Sequence, residues 1–336
     1  MLERIKEDIL IEQIRKTVGF PHYAVMCGIG DDAAVLRTEK RNNFLLFTTD
    51  ALIEGTHFRL EAISPYELGW KSLAVNLSDI AAMGGEPVAA AVSIGLKRGQ
   101  GKGFIQEFYR GMKAIGKKFS AAIVGGDLVK SSICMVNVAV VGEVETKFCA
   151  YRSRAQAGDV ILVTGTLGDS AAGLRLLERG RGARQCALTA EKYLIRRHLR
   201  PTPRLNEARC AVRTGAVNAM MDISDGIAVD LPRLARASGA GFRIFTDRLP
   251  VSNHLRTAAS KINIDPAVFA LAGGEDYELL ICTPKKHWHK VADRILSETG
   301  TPVTQIGEIL PRRKGCLLIG LGDRLIPIPQ PLFQHF

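Results

Sequence analysis

Hydrophobic and polar positions follow a helical period over residues 4–18, 104–118, 189–198, 204–214, 227–238 and 285–297, so each of these segments reads as a helix. Pro201 and Pro203 split the third from the fourth. Short apolar runs read as strands at 44–49, 88–96, 121–127, 133–143, 160–165, 241–246, 277–283, 303–309 and 315–319. The stretch 219–226 (AMMDISDG) joins them as an apolar strand running into Asp222, Ser224 and Asp225. One segment fits neither pattern. In residues 71–87 (KSLAVNLSDIAAMGGEP) apolar side chains cover almost the whole circumference of a helix, and Ser72, Asn76 and Asp79 form a narrow polar stripe. A carboxylate on a buried helix must be paired, protonated or metal-bound, because burying it bare costs far too much. Lys71 is the candidate ion-pair partner in the same segment, and this helix alone leaves the salt bridge and the functional site equally open.

Other carboxylates resolve that choice. Residues 23–32 (YAVMCGIGDD) carry glycines spaced as in a dinucleotide fingerprint, but too few residues separate them from the strand at 44–49 to hold a crossover helix. A hairpin whose turn presents Asp31 and Asp32 is the better reading. Thr48, Thr49 and Asp50 close the strand at 44–49, a hydroxyl pair and carboxylate suited to a hard cation. The strand at 121–127 runs into Gly125, Gly126 and Asp127, and GGED (273–276) leads into the strand at 277–283. The run Gly111 to Lys118 is a near-miss to a P-loop without its Ser/Thr, inside a helix. His287 and His289 lie on different faces of their helix, and His57 stands alone in a glycine-flanked loop.

Taken together, GDD, TTD, NLSD, GGD, DISDG and GGED place acidic residues beside glycine or hydroxyl groups at strand ends or on the buried helix. Converging carboxylates repel one another unless cations neutralise them. Oxygen ligands without paired His or Cys favour Mg²⁺, which commonly also holds substrate phosphates. Phosphoryl transfer from a nucleoside triphosphate, by positioning and charge neutralisation, is the chemistry this implies.

Bulk properties narrow the picture. A chain of 336 residues suggests about two domains, with a boundary near residue 150, giving 1–150 and 151–336. Its net charge of +11 would suit a nucleic acid, but the basic residues fall on helical segments without interleaved aromatics. A solvated basic face fits better, so no nucleic-acid partner is expected. The seven cysteines are scattered and never spaced C-x-x-C, as in a reduced cytoplasmic protein. No window is apolar enough to span a membrane, and the N-terminus reads as an amphipathic helix rather than a signal peptide.

The motifs GIGDDAAVL, TTDALIEGTHF, KSLAVNLSDIAAMGGEP, VGGD, VTGTLGDSAAGL, LRPTPR, DISDG and GGEDYEL, in this order, resemble the thiamine-monophosphate kinases of the aminoimidazole ribonucleotide synthetase superfamily. The resemblance implies an ATP-dependent kinase converting thiamine monophosphate to thiamine diphosphate. It also implies a homodimer with several Mg²⁺ ions and an α+β fold of two α/β-sandwich-like domains. The N-terminal strands would pair across the dimer into a barrel-like sheet, with sites in a cleft shared by the subunits. By the same resemblance Asp32, Asp50, Asp79, Asp127, Asp222 and Asp225 hold Mg²⁺, with Thr48 or Thr49 assisting. Gly126, Asp127, Arg152 and Ser224 contact ATP, and His57, Glu275 and Phe333 contact the thiamine phosphate. Where the family commonly shows Thr-Thr-Arg after Gly-Gly-Asp, this chain has Leu128, Val129 and Lys130. Purine-biosynthesis and selenophosphate synthetases of the same superfamily are the nearest rival reading. Cys27 ends an apolar run and is unlike the reactive residue of the latter.

Overall fold

The computed structural model describes residues 7–19, 21–39, 42–178, 188–261 and 264–332. Helix α1 (Glu7–Val18) leads into β1 (Val25–Cys27) and β2 (Ala34–Arg37), an antiparallel hairpin around the glycine–aspartate turn. Strands β3 (Asn43–Ile53), β4 (Glu86–Leu96), β5 (Ala122–Lys130) and β6 (Met135–Glu145) complete a six-stranded sheet in the order β1-β2-β3-β6-β4-β5. The sheet is open in the single chain, and the barrel-like pairing that the resemblance implies would need the strands of a second copy.

The buried helix α2 (Pro65–Ala82) begins earlier than its apolar run. Ser64 caps it in a reciprocal capping box with Glu67, and Pro65 occupies the first turn, where its missing N–H costs nothing. Helix α3 (Lys102–Phe119) crosses α2 at Gly69 and Gly111, where an added Cβ would lie 1.9 Å from a carbonyl oxygen of the other helix. Only glycine permits that approach. Nearly every residue of α2 is buried because the second half of the chain covers what α3 and the sheet leave open. The Trp70 indole N–H donates to the Pro201 carbonyl at 2.8 Å, and one apolar cluster joins Leu73 and Leu77 to Leu162, Leu194 and Leu279.

That second half holds a seven-stranded sheet, ordered β13-β12-β9-β11-β7-β10-β8. Its strands are β7 (Asp159–Thr164), β8 (Ala219–Ile223), β9 (Ala240–Phe245), β10 (Glu278–Pro284), β11 (Val303–Pro311), β12 (Cys316–Ile319) and β13 (Leu325–Ile326). Alternation along β7 buries both faces: Val160 and Leu162 belong to the cluster shared with α2, Ile161 and Val163 to a second cluster with Ile227, Leu231 and Phe242. Helices α4 (Asp169–Leu177), α5 (Thr189–Leu199) and α6 (Leu205–Val212) follow β7, and α7 (Ile227–Ala237) follows β8. Two helices unread in the sequence, Asn253–Ser260 and Pro266–Ala272, are too short for a periodic signal.

Two sequence expectations change here. Thr48, Thr49 and Asp50 lie within β3 rather than at its end, and Gly125–Asp127 lie within β5. Alternation in β3 therefore separates the two threonines. Thr48 is buried, whereas Thr49 is exposed and donates to Asn137 Oδ1 of β6 at 3.2 Å.

Candidate active site

The site forms where β3 and the β1–β2 turn meet α2 and the end of β8. Thr48 Oγ1 donates to Asp79 Oδ2 at 2.6 Å, and the Asp50 backbone N–H donates to Asn76 Oδ1 at 3.0 Å. From the position just before Asp79 on α2, Ser78 Oγ donates to Asp222 Oδ2 at 2.6 Å. Asp32, Asp79 and Asp222 come together here, each with an oxygen within 4.8 Å of the others. Lys71, one candidate partner of Asp79 in the sequence, instead meets Glu275 at 2.7 Å.

Cationic compensation at this corner is thin. Arg152 forks onto Asp32, Nη2 to Oδ1 at 2.5 Å and Nε to Oδ2 at 3.2 Å, and its backbone N–H donates to Asp31. Burial, followed by repulsion from Asp50, Asp222 and Asp32, pushes Asp79 well above the ordinary carboxylate range, against the opposing Thr48 bond. Burial and the neighbouring Asp32 do the same to Asp222, and Asp31 is raised to about 7 by burial and Asp32. An oxygen-only group whose carboxylates are this reluctant to ionise suits a hard cation such as Mg²⁺.

Two loops of the second half close the site. Asp225 pairs with Arg233, and Asp230 accepts the backbone N–H groups of Asp225 and Gly226, each at 2.9 Å. The Glu275 N–H donates to the Ser224 carbonyl at 2.6 Å and the Tyr277 N–H to Ile223 at 2.9 Å. Glu275 and Tyr277 hold φ of 63° and 51°, conformations costly for non-glycine residues and kept by the surrounding bonds. The Glu275 carboxylate meets Lys71 and, at 3.1 Å, His198 Nδ1. The Lys71 ammonium and the contact with His198 hold Glu275 below its ordinary range despite burial.

A cavity of about 1590 Å³ connects these groups, lined by Asp32, Thr48, Thr49, Asp50, Asp79, Arg152, Asp222, Ser224, Asp225, His57 and Glu275. His57 Nδ1 accepts the Ile53 N–H at 3.0 Å. The lining also includes the apolar side chains of Leu174, Val268, Phe269 and Leu332. Two sequence candidates lie elsewhere. Asp50 is in register with Val138, Val92 and Gly126 across the sheet, so Gly126 sits three strands away, roughly 14 Å. Gly126, at φ 153°, has no room for a Cβ, which would lie 1.8 Å from the Val92 oxygen. Asp127 beside it is exposed on the edge strand. Phe333 is outside the described residues. Sequence reasoning missed Ser78, Lys71 and His198 as parts of the site. Only the neighbouring Asp79 motif could have flagged Ser78, and nothing local flags His198.

Two family models cover most of the chain: AIR synthase related protein, N-terminal domain, over residues 30–144, and AIR synthase related protein, C-terminal domain, over residues 156–319. The chain belongs to the AIR synthase related family. Among its curated relatives, the thiamine-monophosphate kinase of Aquifex aeolicus is 38% identical over 314 residues, covering 92% of each chain. That of Bacillus subtilis is 34% identical over 317 residues, covering 94% of this chain and 95% of the relative. The solved structure of AaThiL complexed with AMPPCP and TMP superposes with a TM-score of 0.86 at 35% identity, over 100% of this chain and 99% of the other.

Proposed function

We infer that this chain transfers the γ-phosphoryl group of ATP to thiamine monophosphate, giving thiamine diphosphate and ADP. The observation that carries the reading is the convergence of Asp32, Asp79 and Asp222 in the large cavity, in a chain whose relatives are thiamine-monophosphate kinases. Asp32, Asp50, Asp79, Asp222 and Asp225 are the residues that would hold Mg²⁺, which when bound neutralises the approaching phosphates. Thr48 and Ser78 fix the carboxylates of Asp79 and Asp222 for that task. Arg152, already forked on Asp32, is placed to follow the nucleotide phosphates. His57 and Glu275 are assigned to the acceptor.

The acceptor oxygen needs no general base. A phosphate monoester is largely ionised near neutral pH, its second pKa being about 6. Its oxygen forms the new P–O bond as the β–γ bridging bond breaks, and ADP leaves with the electron pair, so no bond to protein is required.

The second part of the reading is a homodimer. The outer face of the first sheet leaves Phe47, Ala51, Val88 and Ala91 exposed, more apolar surface than a solvated sheet face usually carries. Packing that face against a second copy would let Gly126 and Asp127 serve the partner's cavity, since they lie far from their own. The test combines ATP, Mg²⁺ and a panel of monophosphates, with products read by mass, and a mixing arm. Asp127→Asn and Asp222→Asn should each be inactive alone, yet random mixed dimers should regain roughly a quarter of wild-type activity through one intact site. No thiamine diphosphate from the wild-type chain overturns the kinase reading; mixtures as inactive as their parents overturn the shared site.

A further inference from the structure

A fully buried lysine requires an explanation, because ionised Lys is almost never enclosed unless paired. Lys71 is 0% exposed, and among the described residues its Nζ makes no hydrogen bond beyond the ion pair with Glu275 Oε1 at 2.7 Å. The other carboxylate oxygen, Oε2, lies 3.1 Å from Nδ1 of His198, a residue equally enclosed on α5. Burial and the nearby Lys71 charge lower the pKa of His198, favouring the neutral ring, and the tautomer with its proton on Nδ1 is the one that can donate to the carboxylate. Ser170 Oγ, at the start of α4, lies 3.1 Å from the same nitrogen. Glu275 thus draws one contact per oxygen from two different helices, while 26% of its side chain stays open to the cavity.

A carboxylate offers about four lone-pair positions. Two are taken by Lys71 and His198, and the strained backbone at φ 63° leaves Glu275 little freedom to redirect the rest. We propose that Lys71 and His198 are positioning residues that aim the free lone pairs of Glu275 at a hydrogen-bond donor on the acceptor's heterocycle, which makes the site select for an amino-bearing acceptor. The Lys71 charge offsets that of Glu275, so the selection works through a directed hydrogen bond rather than net attraction. A site built this way rejects an acceptor lacking the donor, because the Glu275 lone pairs aimed at it are then left buried and unpaired. The inference rests on the kinase reading and on Glu275 facing the acceptor.

The experiment compares kcat/KM for thiamine monophosphate and for the analogue whose pyrimidine amino group is replaced by hydrogen. Wild type should favour the amino acceptor at least about tenfold. His198→Leu should narrow that preference to about threefold or less, mainly through the acceptor KM, with the KM for ATP within about twofold of wild type. His198→Asn, which keeps a donor near the Nδ1 position, should preserve the preference. Lys71→Met should act like His198→Leu where it folds, as checked by its melting curve; the His198 pair carries the test otherwise. Full discrimination retained in His198→Leu, or an equal loss of kcat with both acceptors, overturns the proposal. An active wild type that does not distinguish the acceptors also overturns it while leaving the kinase reading intact. A wild type that phosphorylates neither removes both.

Discussion

Two groups of buried charge in this chain are built in opposite ways. Around Glu278 every charge is answered: Arg204 forks onto both carboxylate oxygens at 2.6 Å, Arg197 meets one at 2.8 Å, and the Thr164 hydroxyl donates to the other at 2.7 Å. Glu278 is held below its ordinary range despite complete burial. At the Asp32–Asp79–Asp222 corner, by contrast, three carboxylates meet one guanidinium among the described residues, and Asp79 and Asp222 are driven upward. The first group is complete within the chain and ties α5 and the 200–204 segment to the second sheet. The second is left short of cationic partners among the described residues, which sets a candidate ligand site apart from an architectural ion network.

The largest effect should come from breaking the complete group. Glu278→Ala leaves Arg197 and Arg204 buried against each other, and stability should fall by about 3–5 kcal/mol in urea or thermal unfolding. A loss under about 1 kcal/mol would put Glu278 among dispensable surface pairs and erase the contrast.

The matching change at the other corner should act on function instead. Asp222→Asn relieves repulsion, so the apo chain should melt no lower than wild type, while kcat/KM falls at least about a hundredfold. Mg²⁺ with ATP should also stop raising its melting temperature. An Asp222→Asn chain that is fully active, or one that is as destabilised as Glu278→Ala, would show the two groups to be alike.

The pH dependence sharpens the comparison with smaller shifts. Asp79 and Asp222 have folded pKa values above their unfolded ones, so the folded chain holds the extra protons. Apo stability should therefore decline as pH rises above the ordinary carboxylate range of about 4. Glu278 is lowered, and its contribution is already complete above that range and is lost only on acidification. His198 is lowered too, and its opposite slope ends near its unfolded value of about 6.5. As pH rises above the ordinary carboxylate range the melting temperature of the apo chain should fall further in wild type than in Asp222→Asn, and further than with saturating Mg²⁺ and ATP. Identical slopes in all three would remove the cluster as the source.

How far the sequence reached depended on the range of each signal. The apolar circumference of α2, most of the strands though not all their ends, and the hairpin at Asp31 and Asp32 were legible, since periodicity and turn chemistry act over a few residues. The acidic motifs were legible as a set for the same reason, each being a local combination of carboxylate, glycine and hydroxyl. The partner of Lys71 was not. Within its own segment Asp79 was the carboxylate in view, yet the fold places Glu275 against Lys71 and gives Asp79 to Thr48. Ser78 reaching Asp222 across 144 positions was equally hidden, as was the separation of Asp127 from the cavity.

By itself, then, the sequence determined which segments fold locally, which one is buried all round and which residue types are available for binding cations. Tertiary structure alone decided which charges neutralise each other and which are left facing the cavity. The physical reason is that pairing energy depends on distance and burial, and both are set when α2 is enclosed between the two sheets. Until that packing forms, Lys71 can pair with any nearby carboxylate in water at little gain; once enclosed, it meets Glu275.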